Sequence, residues 1–459
     1  TAFPGKHGTA MASVSRLLLL LLCSYYHALI ASAGGEQSYK ILAASSQKPQ
    51  VVCSQPRVSP PSSSGGATVP LNHRQGPCAP VPSQEKPTLA EMLRRDQHRA
   101  DYVQRKFSNK HRASGFQSSE VTVPTNLGSA LDTLEYVITV GIGSPAVTQT
   151  VLIDTGSDVS WVHCDGSSPF DPTKSTTYAP FSCGAAACAQ LGAEGNGCSN
   201  SQCQYVVMYG DGSNTTGTYG SDTLALTGSE KVSGFQFGCS QAEAGFGDKT
   251  DGLMGLGGDT ESLVSQTAAT YGKAFTYCLP PTSGSAGFLT LGAPSSTSGF
   301  ATTGMLRSEQ VPTFYGALLQ GINVGGKPVD VSPSVFSAAS VVDSGTIITR
   351  LPPTAYSALS SAFKDGMKQY PTAPSTSILD TCFDFDGQDN VTIPSVALVF
   401  DGGAVVDLDA NGIILGSCLA FTATDDDGTT GIIGNVQQRT LEVLYDVGQS
   451  VLGFRPNAC

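Results

Sequence analysis

The sequence predicts a mostly β protein built as two similar lobes with an active-site cleft between them, and three observations carry that prediction. Gly contributes 52 of 459 residues, which with frequent Ser and Thr suits many short strands joined by tight turns. From Val121 onward, apolar runs of strand length recur while helical patches are few. An apolar strand ending in Asp-Thr-Gly or Asp-Ser-Gly occurs twice, at VLIDTGS (151–157) and VVDSGT (341–346), and each is followed by an apolar-apolar-Gly element, Leu253-Met254-Gly255 and Ile432-Ile433-Gly434. Repetition on this scale points to two lobes of one design.

The elements follow in chain order. Residues 1–10, ahead of Met11, read as upstream sequence with no structural part. Met11 to Arg16 lead into the apolar run Leu17–Leu22, and Ala31-Ser32-Ala33 supplies the small residues of a cleavage site, so 11–33 reads as a secretory signal peptide, too short to span a membrane. Residues 34–120 read as a propeptide with a maturation point between Ala113 and Val121. Within it, the Pro-, Ser- and Gln-rich stretch 45–87 reads as a linker that cannot order itself alone. Residues 88–112 place Leu89, Met92, Leu93, Tyr102, Val103 and Phe107 among basic residues at helical spacing, which predicts a basic amphipathic helix. The N-terminal lobe is expected over 121–300 and the C-terminal lobe over 301–459. Strands are expected at Tyr136–Val140, Thr150–Ile153, Gln204–Met208, Val341–Val342 and Val396–Phe400, and helices at Glu261–Thr270 and Pro353–Gln369.

Charge divides the chain in the same way. Residues 1–120 carry 14 Lys+Arg against 6 Asp+Glu, and the remainder 11 against 31. An acidic body repels nucleic acid, so none is expected as a partner, and the basic helix better suits a propeptide held over an acidic cleft as an intramolecular inhibitor. Ten of the thirteen cysteines lie from Cys164 onward (Cys164, Cys183, Cys188, Cys198, Cys203, Cys239, Cys278, Cys382, Cys418, Cys459), an even number that fits five disulfides in an oxidising compartment. The group 183–203 lacks the C-x-x-C spacing of a zinc knuckle, so no metal is expected. Asn214 and Asn390 open N-glycosylation sequons.

A strand that delivers Asp into a Thr-Gly or Ser-Gly turn presents its carboxylate at a fixed point, with small residues allowing close backbone approach. One such tripeptide is ordinary turn chemistry. Two of them, Asp154 and Asp343, in matching contexts, predict a pair of carboxylates brought together across the lobes. Like charges at hydrogen-bond distance share one proton, and such a pair can take a proton from water while giving one to a carbonyl oxygen. Other hydrolytic chemistries lack parts: of six histidines only His163 lies in the body, and no phosphate-binding glycine loop is present.

At these residues the sequence resembles the pepsin family of aspartic proteases, and specifically its plant nepenthesin-like branch, from about residue 134 to Cys459. The motifs that carry the resemblance are DTGSDVSWVHC (154–164), YGDGSNTTGTYGSDTL (209–224), DGLMGLG (251–257), VVDSGTIITRLPPTAYSAL (341–359) and GIIGNVQQRTLEVLYD (431–446). The resemblance implies a bilobal pepsin-like fold with Asp154 and Asp343 as the catalytic dyad. It implies that Thr155 and Ser344 brace the two loops from beneath, that Ser157 and Thr346 hydrogen-bond the carboxylates, and that Gly156 and Gly345 permit the turns. Tyr209 and Gly210 resemble the flap over the substrate, with Trp161 behind it. The cysteine-rich insert 183–203 resembles the hallmark of the branch, with nested pairing of Cys183 to Cys203 and Cys188 to Cys198 expected. Many relatives carry a second cysteine shortly after the one at 164, which here is missing.

The function expected is a secreted aspartic-type endopeptidase, hydrolysing polypeptide substrates at acid pH without metal or organic cofactor. It is expected to be a monomer with no membrane association, bound for the extracellular space or cell wall, with vacuole or plastid as alternatives. The competing expectation is a catalytically silent relative that binds or inhibits another protein.

Overall fold

The computed structural model describes residues 37–54, 66–80, 87–108, 136–166, 169–209, 213–244 and 250–459. The expected signal peptide, the maturation stretch and Gly210 lie outside these residues. The fold is mostly β and two-lobed. A 15-stranded sheet dominates the N-terminal lobe and reaches the C-terminal strands Glu442–Asp446 and Val451–Arg455 through Ala274–Cys278. The C-terminal lobe adds a six-stranded sheet and two four-stranded sheets.

The repeated sequence motif becomes a repeated topology. Val147–Asp154 pairs in parallel with Gly252–Gly255, with Asp154 opposite Gly255. Ser340–Val342 pairs in parallel with Gly431–Ile433, with Val342 opposite Ile433. In both lobes the apolar-apolar-Gly strand pairs on its other side, antiparallel, with the strand that follows the Asp turn: Trp161–His163 in one and Thr349–Leu351 in the other. These strands are buried on both faces, which is why they read as continuous apolar runs and not as alternation.

The stretch expected to be a linker is partly a structural element. Ala67–His73 forms a strand in the large sheet, between Ala286–Leu291 and Tyr136–Ile142, and Cys53 pairs with Cys78. Its order comes from body strands that satisfy its backbone on both sides, a contribution that its own composition could not reveal. A second early strand, Tyr39–Ala43, pairs antiparallel with Asn390–Pro394 of the C-terminal lobe as a separate two-stranded sheet.

The basic helix forms over Leu89–Phe107. Its start is fixed by a capping box in which the Thr88 hydroxyl accepts from the Glu91 N–H and the Glu91 carboxylate accepts from the Thr88 N–H. Its buried face is Leu93, Asp96, Arg99, Ala100 and Val103, so two charged residues lie on the stripe that an amphipathic helix normally keeps apolar. The region Glu261–Thr270 resolves into two short helices, Leu263–Gln266 and Ala268–Tyr271, and Pro353–Gly366 forms one.

Candidate active site

Each Asp turn sits where a buried strand ends at the cleft, and the structure brings Asp154 and Asp343 together, both fully buried. The two loops are cross-braced: the Ser344 hydroxyl accepts from the Thr155 N–H at 3.1 Å, and the Thr155 hydroxyl accepts from the Ser344 N–H at 2.9 Å. The Gly156 N–H donates to Asp154 Oδ1 at 2.9 Å and the Gly345 N–H to Asp343 Oδ1 at 3.1 Å. A Cβ on Gly345 would stand 2.7 Å from Arg99 Nη2 and 2.8 Å from Asp154 Oδ1, and one on Gly156 would overlap Arg99 Nη2 and stand 3.1 Å from Asp343 Oδ1, so both turns keep glycine where the guanidinium and the other lobe's carboxylate crowd in.

The carboxylates differ in their outer partners. Thr346 donates its hydroxyl to Asp343 Oδ2 at 2.6 Å. Ser157, expected to do the same for Asp154, does not: its hydroxyl is buried with no hydrogen-bond partner among the described residues. Both oxygens of Asp154, like both of Asp343, are engaged by a guanidinium from the helix Leu89–Phe107. Arg99 Nη2 lies 2.7 Å from Asp154 Oδ1 and 3.0 Å from Asp343 Oδ1, while Nη1 reaches Asp154 Oδ2 at 3.2 Å and Nε reaches Asp343 Oδ2 at 3.1 Å. One planar fork thus bridges both lobes' carboxylates. Burial alone would push the Asp343 carboxyl up, but the Arg99 charge and hydrogen bonds, with those from Thr346 and Gly345, hold it below the usual carboxylate range.

Beyond the dyad, Tyr209 is buried and its hydroxyl accepts from the indole N–H of Trp161 at 2.8 Å, joining the flap strand Gln202–Met208 to the strand after the Asp154 turn. The Tyr209 N–H donates to the Ser213 carbonyl at 2.9 Å, closing the hairpin base. Beneath the dyad, Asn435 donates to the Ser344 carbonyl at 3.1 Å and Gln438 to the Asp343 carbonyl at 3.3 Å. His163 is engaged structurally, with Nε2 3.0 Å from the Thr250 carbonyl and Nδ1 3.2 Å from Glu243.

Two further charged groups face the same helix. Asp96, fully buried, accepts from the Ile347 N–H at 2.6 Å and from Arg350 Nη1 at 2.8 Å. Near the helix's other end Tyr102 and Lys106 border a cavity of about 420 Å³ whose wall includes Asp158, Glu194, Asp259 and Glu261. Burial pushes the Asp158 carboxyl up to about 6 against hydrogen bonds from Thr313 and the Asp259 N–H. Burial, reinforced by the charges of Asp158 and Glu261, pushes Glu194 up to about 8 against the opposing influence of Lys106. None of Asp96, Arg99, Asp158, Glu194 or Arg350 was singled out from the sequence. The signal available for the first two was their position on the helix stripe of Leu93 and Val103.

The ten body cysteines pair as five disulfides: Cys164–Cys239, Cys183–Cys198, Cys188–Cys203, Cys278–Cys459 and Cys382–Cys418. The nested arrangement expected in the insert is therefore replaced by a staggered one. The short helix Ala186–Gln190 carries Cys188 over the fully buried Cys203, which leaves Cys183 to reach the exposed Cys198 on the adjoining strand. Asn214 and Asn390 both open strands, Asn214 half-buried and Asn390 exposed opposite Ala43. Among the described residues no helix is long and apolar enough to cross a membrane.

Two β lobes that each deliver an Asp turn to a shared cleft define an aspartic-protease architecture. The fold is similar to the crystal structure of basic 7S globulin from soybean, with a TM-score of 0.57 over 70% of this chain and 90% of that one at 21% identity. Family models described as xylanase inhibitor N-terminal and xylanase inhibitor C-terminal match residues 136–293 and 314–456. An aspartyl protease family protein of Arabidopsis thaliana is 41% identical, covering 88% of this chain and 89% of its own. Aspartic proteinase nepenthesin-2 of Nepenthes gracilis is 33% identical over 88% of this chain and 95% of its own. The chain belongs to the plant pepsin-like family of aspartyl proteases that includes the nepenthesins.

Proposed function

We propose that the chain is the precursor of an aspartic endopeptidase, exported through an oxidising compartment, that cleaves polypeptides at acid pH once its propeptide has left the cleft. The observation that carries this reading is the intact, cross-braced dyad with the Arg99 guanidinium lying between its two carboxylates. Arg99 stands where an attacking water has to sit, and its charge helps hold the Asp343 carboxyl low, away from the one-proton state that the chemistry needs.

With the guanidinium gone, the pair shares one proton, as aspartic-protease dyads generally do. The ionised partner takes a proton from water as the water oxygen bonds to the peptide carbonyl carbon, while the protonated partner gives its proton to the carbonyl oxygen. The resulting diol returns one hydroxyl proton to the dyad, the amide nitrogen gains a proton, and the C–N bond breaks. Tyr209 and Trp161 would close over the substrate. The disulfides and the apparent signal peptide support export.

The test is proteolysis of a denatured protein across pH 3 to 7 by the processed protein and by Asp154→Asn, with and without pepstatin. Acid-range cleavage that is lost in the variant and blocked by pepstatin is the expected result. No cleavage by verified processed protein at any pH would refute the reading and favour a silent inhibitor or binding protein, in keeping with family models described as xylanase inhibitor.

A further inference from the structure

The cradle around Asp96 belongs almost entirely to the body. Arg350 is 1% exposed. Its Nη1 donates to Asp96 at 2.8 Å and to the Ile348 carbonyl at 3.1 Å, Nη2 reaches Gln97 at 3.5 Å, and Nε is buried without a partner. The Ile347 N–H donates to the same carboxylate at 2.6 Å and the Ile348 N–H at 3.4 Å. Among the described residues, Asp96 is the carboxylate that neutralises Arg350. It departs with the propeptide, and a buried charge that loses its partner is strongly unfavourable.

The surroundings suit substrate. Ile347 follows Thr346, which is bonded to Asp343. The walls are apolar, with Ile347, Ile348, Leu379 and Val436 packed against Leu93, and low polarity strengthens ion pairing. Asp96 lies three residues from Arg99, about 4.5 Å along the helix axis. An extended peptide advances about 3.3 Å per residue, so the cradle corresponds to a side chain one or two residues from the scissile bond.

We infer that in the processed protein Arg350 and the Ile347 and Ile348 N–H groups form a subsite that accepts an Asp or Glu side chain of the substrate, Asp96 being its occupant in the precursor. The inference rests on the endopeptidase reading. Its test uses processed protein at about pH 5, where a free Glu is mostly ionised, and again at about pH 6.5, because burial raises a carboxyl held in this cradle, with otherwise identical fluorogenic peptides carrying Glu or Gln in turn at each of three positions on either side of the scissile bond. At one position, Glu should exceed Gln in kcat/KM by about tenfold or more, as expected for a charge-assisted pair. That ratio should collapse toward one in Arg350→Met and be intermediate in Arg350→Lys, which keeps the charge but not the fork. A uniform Glu/Gln ratio at every position, or an unchanged ratio in Arg350→Met, would overturn the inference.

A binding arm separates this from failure of the protease reading and needs no folded Arg350 variant. A synthetic peptide of residues 88–108 should bind processed wild-type protein about tenfold or more tightly than its Asp96→Asn counterpart. Equal binding overturns the subsite. Absence of all peptide cleavage refutes the protease reading, and this arm still decides the carboxylate preference.

Discussion

Replacing Arg99 by Gln in the precursor tests the central geometry most directly. Docked, the guanidinium makes four contacts of 2.7 to 3.2 Å with two buried carboxylates and helps hold that of Asp343 low. Released, the dyad shares one proton, so release takes up about one proton and its free energy changes by about 1.4 kcal/mol per pH unit. The sign follows from Asp343, whose carboxyl is held low in the docked state: the stabilisation is present above the ordinary carboxylate range and is lost as pH falls through the lowered value. Removing one partner of a buried ion pair costs about 3–5 kcal/mol. At 1.4 kcal/mol per unit, the release midpoint of Arg99→Gln should rise by about two to four pH units, and its dependence on pH should flatten. Trp161, the single tryptophan, is hydrogen-bonded to Tyr209 and reports cleft occupancy, so a pepstatin titration followed by its fluorescence at each pH measures the accessible fraction. Arg94→Gln, exposed on the opposite face, should leave the midpoint nearly unmoved. An Arg99→Gln precursor that opens at the parent's pH would refute the assignment of Arg99 as the latch.

Three other outcomes follow. Ser344→Ala removes the acceptor of the buried Thr155 N–H, and unfolding should be easier by about 1–3 kcal/mol, read by urea denaturation; an unchanged midpoint would show that the brace is dispensable. Asp158, raised to about 6, contributes stability that is full below the ordinary Asp range and is lost as pH rises through 6. In an Asp154→Asn background that cannot process itself, adding Asp158→Asn should shrink the fall in stability between about pH 4 and pH 8 by up to about 3 kcal/mol, and an undiminished fall would contradict the burial argument. Peptide mapping without reduction should recover Cys183 linked to Cys198 and Cys188 linked to Cys203, and recovery of the nested pairs would contradict the staggered insert.

The body's fold was legible because its signals are local and doubled. Each Asp turn follows a short buried apolar run, Val151–Ile153 in one lobe and Val341–Val342 in the other, and the second copy removes the ambiguity of the first. Leu253-Met254-Gly255 and Ile432-Ile433-Gly434 could be matched by eye for the same reason. Ala67–His73 was not legible, because what orders it lies in Ala286–Leu291 and Tyr136–Ile142, far away in sequence. The disulfide stagger was hidden by equal spacings that fit either pairing. Arg99 and Asp96 are half-legible: the helix and its fit to an acidic cleft are plain from spacing and summed charge, but the sum does not single out the two charges on the Leu93–Val103 stripe, which are the specific sign of buried partners in the body.

Those partners do not all respond to acid in the same direction. The Arg99 contact favours release as pH falls, because docking lowers the carboxyl of Asp343. Asp96 runs the other way: burial raises its carboxyl in the docked helix despite Arg350, so it binds a proton more readily docked than free, and acid favours docking through this residue. The pH response of release is the Arg99 contribution opposed by that of Asp96. An Asp96→Asn precursor loses both the ion pair and the opposing proton uptake, so it should open at higher pH than the parent and over a narrower pH interval. A broader transition would mean that Asp96 is driving release, and that its carboxyl is held low by Arg350 instead of raised by burial.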